Sequence, residues 1–278
     1  MAGIRVVTDS AGDLPADLVA AHDIRIVPLD VRLGKWGPDE MRLIDPAEFW
    51  RRCAITPTLP ETSAPSPGDF AAVFSEAADD GCDGVVCITL SAGLSATFQS
   101  AVAGAAEVRE RIDVRVVDSR FVTIGEGMLV LEAVEAAATR SLDDLVAALE
   151  ASVAKIRVYG TFDTVENLRK GGRIGAAQAM IGSLLSIKPV IEIRDGVVEP
   201  ESRQRTRQRS LDYLVQKVRD AGPLARLAVA HAAAPDVDVV VDQLAEIYPR
   251  NEIVIGYIGP VIGTHSGPGC VGVCFRLA

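Results

Sequence analysis

The chain has 278 residues, of which 49% are hydrophobic and 24% are charged. This composition excludes a disordered chain, a collagen-like fibre and a disulfide-stapled miniprotein, and the length suits one large domain or two modest ones. The net charge of −10 disfavours nucleic acid and anionic membranes as partners, because binding to either needs a basic face.

The first half of the chain alternates apolar segments of strand length with longer amphipathic segments. This pattern is typical of βα units around a largely parallel, Rossmann-like sheet. Strands are predicted at 4–7, 24–31, 84–90 and 114–117. Helices are predicted after Asp13, from Pro46, at 67–78, from about Ser95, at 125–139 and at 141–154. Asp13, Asp45 and Ser66 occupy predicted N-cap positions, and proline follows the last two at the first helical position.

The pattern changes near residue 155, which predicts two α/β domains, 1–155 and 156–278. Strands are predicted at 157–162, 188–194, 197–202, 227–230 and 253–258. Helices are predicted up to Gly171, at 174–187 as a buried helix, at 207–219 and at 237–247. Asp195-Gly196 predicts a type I′ hairpin, so this second sheet is mixed. The final residues, 259–278, are predicted as a glycine-rich loop and a short strand that close the cleft.

Cysteine usage and hydropathy indicate a cytoplasmic protein. The five cysteines include no CxxC pair, which fits neither a disulfide framework nor a four-thiolate zinc site. No segment offers the roughly 20 uninterrupted apolar residues of a membrane span, and the N-terminus lacks an apolar run of secretory length. We therefore expect neither stable membrane insertion nor a bound metal.

Hydroxyl side chains follow three of the predicted parallel strands, where ligands of such sheets bind. They lie at 8–10, 89–95 and 118–119, the last including Ser119. Ser95 is placed at a helix start, so its hydroxyl, the free backbone N–H groups and the helix dipole are expected to converge on an anion. Ordinary N-capping by these Ser and Thr residues is the alternative interpretation.

Two further loops carry candidate anion ligands. Thr62 and Ser63 lie on a proline-stiffened segment ahead of a helix, which by itself is also typical of a capping loop. His265 lies among glycines that let backbone approach a ligand closely, although a solvent-facing position is the alternative. His22 and His231 lack such surroundings and are interpreted as structural.

Common enzyme motifs are missing from the sequence. It contains no G-x-S-x-G elbow and no Walker A motif. Residues 267–272 match G-x-G-x-x-G, but they follow a loop, precede a strand and leave too little chain for a βαβ unit.

Six segments together resemble the DegV family nearly end to end. They are VTDSAGDLP, TSAPSPGDF, ITLSAGLSATFQSA, VVDSR, LRKGGRIGAAQAMIGSLLSIKP and IGTHSGPGCVGV. The resemblance implies a two-domain α/β protein that encloses one long-chain fatty acid, such as palmitate, with the carboxylate at the domain junction and the tail in an apolar tunnel. It implies no cofactor. It further implies that a separate ATP-dependent fatty acid kinase phosphorylates the bound carboxylate for phospholipid synthesis, so that this chain alone is not catalytic.

The resemblance also assigns residues. The carboxylate ligands of the family fall on Thr62, Ser95 and His265, and Arg173 matches an arginine near the head group. Arg205 matches an arginine associated with kinase docking. Ser63 and Ser119 are predicted in the vicinity of the head group. The predicted tunnel walls, for which plain core packing is the alternative, are Met180, Ile181, Leu184, Leu185 and Ile187. Ala64, Ala92 and Ala96 depart from the family pattern, which leaves chain selectivity open.

Two other functional classes compete with a lipid carrier. A hydrolase or acyltransferase would use Ser95 as nucleophile and His265 as base, with Asp9 or Asp118 orienting the imidazole. A transcriptional or protein-interaction module is disfavoured by the acidic charge and the missing DNA-binding motif.

Arginine alternates with other residues at 203, 205, 207 and 209. In an extended chain all four side chains share one face, which predicts a docking patch for an acidic surface of the kinase. A solvated strand edge is the alternative.

Overall fold

The computed structural model describes residues 3–42, 44–180 and 187–278. The strands of these ranges are β1 Ile4–Asp9, β2 Arg25–Val27, β3 Asp30–Arg32, β4 Glu61–Ser63, β5 Gly84–Thr89, β6 Val114–Asp118, β7 Ile156–Thr161, β8 Lys188–Arg194, β9 Val197–Gln204, β10 Leu224–His231, β11 Ile253–Tyr257 and β12 Val271–Leu277. The α-helices are α1 Ala16–Ala21, α2 Pro38–Met41, α3 Pro46–Ala54, α4 Pro67–Asp79, α5 Thr97–Val108, α6 Ile124–Ala137, α7 Leu142–Val153, α8 Glu166–Lys170, α9 Arg207–Asp220, α10 Val237–Leu244 and α11 Pro260–Ser266. None of the helices in these ranges is both long and apolar enough to cross a bilayer.

The strands confirm the predicted α/β class and its two kinds of sheet. The N-terminal sheet has the order β2-β1-β5-β6, and all its strands are parallel. The C-terminal sheet has the order β11-β10-β12-β7-β8-β9 and is mixed. One buried apolar cluster joins the two halves through α6, whose Leu129 belongs to the same cluster as Ile193 on β8. The division into two units at residue 155 stays a prediction.

The predicted N-caps at Asp45 and Ser66 and the predicted turn at Asp195-Gly196 are confirmed. Asp45 and Ser66 accept hydrogen bonds from backbone N–H groups three residues on, and proline follows each. Asp195 and Gly196 have φ angles of 52° and 81°, as a type I′ turn between β8 and β9 requires.

The predicted strand at 24–31 and the predicted cap at Asp13 are wrong. Pro28 has no N–H for a sheet ladder, and the segment divides into β2 and β3, which lie in different sheets. Asp13 adopts a left-handed φ of 46°, and Pro15 is the N-cap of α1. The Asp13 carboxylate instead accepts the backbone N–H of Gly259 at 2.9 Å, at the start of α11.

The last 20 residues also differ from the prediction of a loop and a covering strand. Residues 260–266 form α11, with Pro260 at its first position and Gly267, at φ 75°, ending it. Strand β12 lies in the interior of the C-terminal sheet, antiparallel to β10 on one side and β7 on the other. It therefore builds the sheet rather than closing over a cleft.

The predicted buried helix at 174–187 is described only in part. Residues Gly175–Met180 form a 3₁₀ helix, and residues 181–186 lie outside the described ranges.

Candidate functional site

An apolar cavity lies between one face of the C-terminal sheet and segments from the N-terminal half. It contains about 860 Å³ of empty space, part of which is open to solvent. Its apolar wall is formed by Leu29, Leu90, Leu94, Val122, Val158, Gly160, Phe162, Leu168, Ile191, Ile193, Val198, Ala230, Ile258, Val261, Ile262, Gly272 and Cys274. Such a predominantly apolar lining with a few polar groups is typical of a site for a small apolar ligand.

His265 lies in the last turn of α11 and lines this cavity. Its Nε2 is 3.1 Å from the Oγ1 of Thr62 on β4, whereas its Nδ1 is buried without a partner among the described residues. Burial, followed by the positive charge of Arg173, lowers the pKa of His265 to about 4. The imidazole is therefore neutral near pH 7, and it carries one N–H donor.

Ser95 lines the cavity from the loop between β5 and α5. Its Oγ is 2.8 Å from the Oγ1 of Thr97, the first residue of α5. The loop is held by Ser91, which donates to the carbonyl of Gly196, and by Asp118, which accepts the N–H of Ala92. These contacts fix Ser95 at the N-terminal end of a helix, where an anion is favoured.

Arg173 is the one permanent cation among the cavity-lining residues of the described ranges. Its Nε donates to the carbonyl of Leu94 at 3.3 Å, and its Nη1 donates to the carbonyl of Gly171 at 2.7 Å. The structure thus brings Thr62, Ser95, His265 and Arg173 to one cavity, as the sequence predicts. Their roles as ligands stay a prediction.

An open hollow adjoins this polar end of the cavity. Thr62, Arg173 and His265 line both the cavity and the hollow, which also includes Asn167 and Lys170. The polar end is therefore the end that an external molecule reaches first.

Four of the other residues predicted near the ligand are not among the cavity-lining residues, and three lie outside the described ranges. Ser63 is exposed on β4, and the buried Ser119 exchanges hydrogen bonds with the backbone of Phe121; neither lines the cavity. Met180 is buried and Ile187 is half-buried, and neither is among the lining residues. Ile181, Leu184 and Leu185 lie outside the described ranges.

The wall residues that the sequence reasoning missed come mainly from the C-terminal sheet. Ile191 and Ile193 on β8 alternate along the strand, as residues of one sheet face do. Val198 on β9 and Val158 on β7 are cross-strand partners of Ile193 on the same face. The alternation was visible in the sequence, but the choice of face needed the pairing register.

Two fully buried carboxyl groups, Asp9 and Glu126, lie in the N-terminal half. Asp9 accepts the N–H groups of Leu90 and Ala11, each at 2.8 Å, and Glu126 accepts the hydroxyl of Thr8 at 2.9 Å. Burial raises the pKa of Asp9 to about 7, and burial together with the charge of Asp9 raises the pKa of Glu126 well above its usual range. Within the described ranges, no three His, Cys, Asp or Glu side chains are grouped so as to hold a metal ion.

The contacts of Ser95 and His265 do not form a nucleophile relay. Ser95 bonds to Thr97, and the Nε2 of His265 bonds to Thr62. Asp9 accepts backbone N–H groups, and Asp118 accepts those of Ala92 and of Arg120. Neither carboxylate orients the imidazole.

The predicted arginine row is broken by a change of secondary structure. Strand β9 ends at Gln204, and α9 begins at Arg207 with Thr206 as its cap. Arg207 forms two hydrogen bonds of 2.8 Å with Asp236 and is half-buried, whereas Arg205 is exposed in the turn. The four side chains therefore do not share one face of an extended strand.

The fold and the site define an α/β protein with an aliphatic cavity behind a mouth of hydroxyl, imidazole and guanidinium groups. Residues 3–277 match the DegV family, which is described as uncharacterised, and the chain belongs to that family.

Individual relatives extend this match. The chain is 37% identical over 276 residues to a DegV domain-containing protein of Streptomyces coelicolor, covering 97% of each chain. It is similar to the structure of a fatty acid binding DegV family protein from Thermus thermophilus, with a TM-score of 0.89, 34% identity and coverage of 99% and 100% of the two chains. It is also similar to that of DegV, a fatty acid binding protein from Bacillus subtilis, with a TM-score of 0.89, 33% identity and complete coverage of both chains.

Proposed function

We propose that the protein binds one long-chain fatty acid, with the carboxylate at Thr62, Ser95 and His265 and the tail in the apolar cavity. The observation that carries the proposal is the composition of the cavity lining, which is mainly aliphatic but includes a cluster of hydrogen-bonding groups shared with the open hollow. The fatty acid binding of the Thermus thermophilus and Bacillus subtilis proteins supports the same ligand class here.

The tail and the carboxylate of the fatty acid are expected to contribute differently to the binding free energy. Burial of about fifteen methylenes contributes on the order of 12 kcal/mol before ordering costs, at about 0.8 kcal/mol each. A charge-assisted hydrogen bond to the carboxylate contributes roughly 1.5–3 kcal/mol. The tail therefore supplies most of the affinity, and the polar groups orient the head.

We propose further that the bound carboxylate is presented to a separate ATP-dependent fatty acid kinase in the cytoplasm, which forms acyl phosphate for phospholipid synthesis. The open hollow beside Thr62, Arg173 and His265 supports this step, because it gives a partner access to the head-group end. The same hollow contains Lys170, whose positive charge favours an incoming phosphate.

The binding proposal is tested on the purified full chain by native mass spectrometry and by organic extraction. We expect a long-chain fatty acid at about one molecule per chain. A protein that is isolated empty and then takes up none of a series of fatty acids would contradict it.

Presentation to a kinase is tested with three alanine variants, of Thr62, Ser95 and His265. Each removes a polar contact of the carboxylate while the tail stays buried, so we expect lower acyl phosphate production with measurable ligand binding. Unchanged production in all three variants would show that the head group lies elsewhere.

Arg205 is the residue to test for docking, because it is exposed while Arg207 is engaged with Asp236. Arg205→Ala is expected to retain the fatty acid but lower kinase-dependent phosphorylation. The difference from the parent should shrink as salt screens the attraction. Arg209→Ala, in the exposed first turn of α9, is the matched control. Loss of the bound fatty acid would place Arg205 in the ligand site, and unchanged turnover would support a purely solvated role.

A further inference from the structure

The helix that carries His265, α11, is held at its start by a side chain from the N-terminal half. Oδ1 of Asp13 accepts the backbone N–H of Gly259, the residue before α11, at 2.9 Å. Gly259 has no side chain that could cap the helix, and Pro260 at the first helical position has no N–H. Asp13 therefore supplies a side-chain acceptor at this helix start, across 246 residues of sequence.

Asp13 approaches this segment too closely for a side chain at either of two glycines. A Cβ at Gly259 would lie 3.0 Å from Oδ1 of Asp13, and a Cβ at Gly256 would lie 3.0 Å from the carbonyl oxygen of Asp13. Asp13 itself has a left-handed φ of 46°, which is uncommon for a residue other than glycine. The β1–α1 loop and the segment before α11 are thus packed against each other through both the backbone and the side chain of Asp13.

The contact between Asp13 and Gly259 is shielded from solvent. Oδ2 of Asp13 is buried, and the hydroxyl of Thr123 faces the same carboxyl group. A backbone N–H that loses its partner in such a place carries the full cost of its desolvation. Without the Asp13 acceptor, the start of α11 is therefore expected to move toward another hydrogen-bond partner.

Helix α11 connects this contact to the polar end of the cavity. Its seven residues span about 10 Å, and His265 lies in the last turn. That end of the helix is held separately by Asn167, whose Nδ2 donates to the carbonyl of Thr264 at 3.2 Å. A movement at Gly259 therefore tilts α11 about its far end and turns the imidazole relative to Thr62, whose Oγ1 is 3.1 Å from Nε2 of His265. Hydrogen bonds of this length weaken steeply when their angle changes.

From these contacts we propose that Asp13 is a positioning residue for the head-group site, which acts through Gly259 and α11 to orient His265 toward Thr62. The inference rests on the proposed function, in which these two groups bind the carboxylate of the fatty acid. Asp13 is not among the cavity-lining residues, so its effect on the ligand is indirect.

The test compares Asp13→Ala, which removes the acceptor, with Asp13→Asn, which keeps an oxygen in the place of Oδ1. Titration calorimetry with palmitate gives the affinity of each full-length protein. NMR of the histidine ring nitrogens in the fatty-acid-free protein reports the imidazole, and the resonances of His265 are those absent from His265→Ala. We expect Asp13→Ala to lower the affinity roughly fivefold and to shift the ring resonances of His265. Asp13→Asn should restore both toward the parent values.

Gly259→Ala disturbs the same contact from the other side and keeps the test valid if Asp13→Ala folds poorly. Gly259 has an ordinary φ of −82°, so alanine is accepted without backbone strain, but its Cβ pushes against Oδ1 of Asp13. The ring resonances of His265 should shift in this variant too, and the affinity should fall.

Ser141→Ala is the matched control, because Ser141 accepts the N–H of Asp144 at the start of α7 in the same way. It should lower stability as the loss of a helix cap does, without changing the palmitate affinity or the ring resonances of His265.

Three results would contradict the positioning role while leaving fatty acid binding intact. They are unchanged ring resonances of His265 in Asp13→Ala, equal effects of Asp13→Ala and Asp13→Asn, and fully additive losses of affinity when Asp13→Ala is combined with His265→Ala. Failure of the parent to bind any fatty acid would instead contradict the proposed function. The ring resonances of the fatty-acid-free protein would still decide whether Asp13 orients His265.

Discussion

Replacement of Gly171 with alanine is expected to weaken fatty acid binding by roughly 10- to 150-fold, the value of one charge-assisted hydrogen bond. Gly171 ends α8 with an ordinary φ of −77°, so its backbone accepts alanine without strain. A Cβ at this position, however, would collide with the Nδ1 of His265 and lie 2.9 Å from its Cε1. The imidazole has to rotate or shift, and its Nε2 then leaves Thr62 and the proposed carboxylate position.

Gly172→Ala is the matched control for this effect. Gly172 has a φ of 70° and an added Cβ there would meet no atom within 4 Å. The substitution should therefore cost about 1 kcal/mol of stability through backbone strain but leave the affinity unchanged. Titration calorimetry gives the affinities, and urea unfolding gives the stabilities.

A double variant decides whether Gly171 acts through the imidazole. If it does, adding Gly171→Ala to His265→Ala should cause little further loss of affinity, because the interaction is already absent. Full additivity of the two losses would contradict the mechanism, as would parent-like affinity in Gly171→Ala.

Ser66 and Asp13 show that the sequence predicts a helix cap when the cap depends on adjacent residues, but not when the side chain contacts a distant residue. Ser66 has proline next and Asp69 at the third helical position, and its capping box depends on those neighbours alone. Asp13 also precedes a helix, but its carboxylate contacts Gly259, 246 residues away. The residues next to Asp13 in the sequence do not indicate that contact. The N-cap preference of aspartate, which considers only those neighbours, therefore predicted the wrong role for Asp13.

The polar part of the candidate site was predictable for a different reason than its walls. Thr62, Ser95 and His265 are conspicuous as polar residues in loops, and the resemblance to the DegV family indicated them directly. The cavity wall consists of ordinary strand residues such as Ile191 and Ile193, whose sequence resembles that of any buried strand. Which residues face the cavity depends on strand register, which is a property of the assembled sheet.

The arginine row shows that a sequence period predicts a shared face only when the secondary structure is known. Alternation from Arg203 to Arg209 has a period of two and predicts one shared face only if the chain stays extended. Thr206 accepts the N–H of Arg209 and begins α9, so the period of two ends at the cap. The capping residue Thr206, which lies inside the repeat, therefore determines the backbone conformation, and the alternation of arginines does not.

The stability of the protein is expected to fall as pH rises from about 5 to 7, because Asp9, Asp13 and Glu126 bind protons more tightly in the folded chain than in the unfolded chain. Burial raises the pKa of Asp9 and of Asp13 to about 7, and the pKa of Glu126 lies well above its usual range. Unfolded Asp and Glu have pKa values of about 3.9 and 4.3, so over this window the folded state holds protons that the unfolded state has released. Each such group lowers the free energy of unfolding by about 1.4 kcal/mol per pH unit.

Glu126→Gln should remove one of these three contributions. The amide is neutral at every pH, and its oxygen still accepts the hydroxyl of Thr8, which is 2.9 Å from Oε1 of Glu126. The unfolding free energy of the variant should therefore decline less steeply than that of the parent, by at most about 1.4 kcal/mol per pH unit, the slope that one bound proton gives. Urea unfolding at a series of pH values measures both slopes.

Glu135→Gln separates this effect from a general change of charge. Glu135 lies on the same helix, α6, but its side chain is 61% exposed and pairs with Arg226. Exposed ion pairs contribute about 0–1 kcal/mol, so this variant should follow the pH slope of the parent. If Glu126→Gln also follows the parent slope, then Glu126 is already ionised in the folded protein at pH 5. A buried hydrogen-bond donor or cation would then have to stabilise the negative charge of the Glu126 carboxylate.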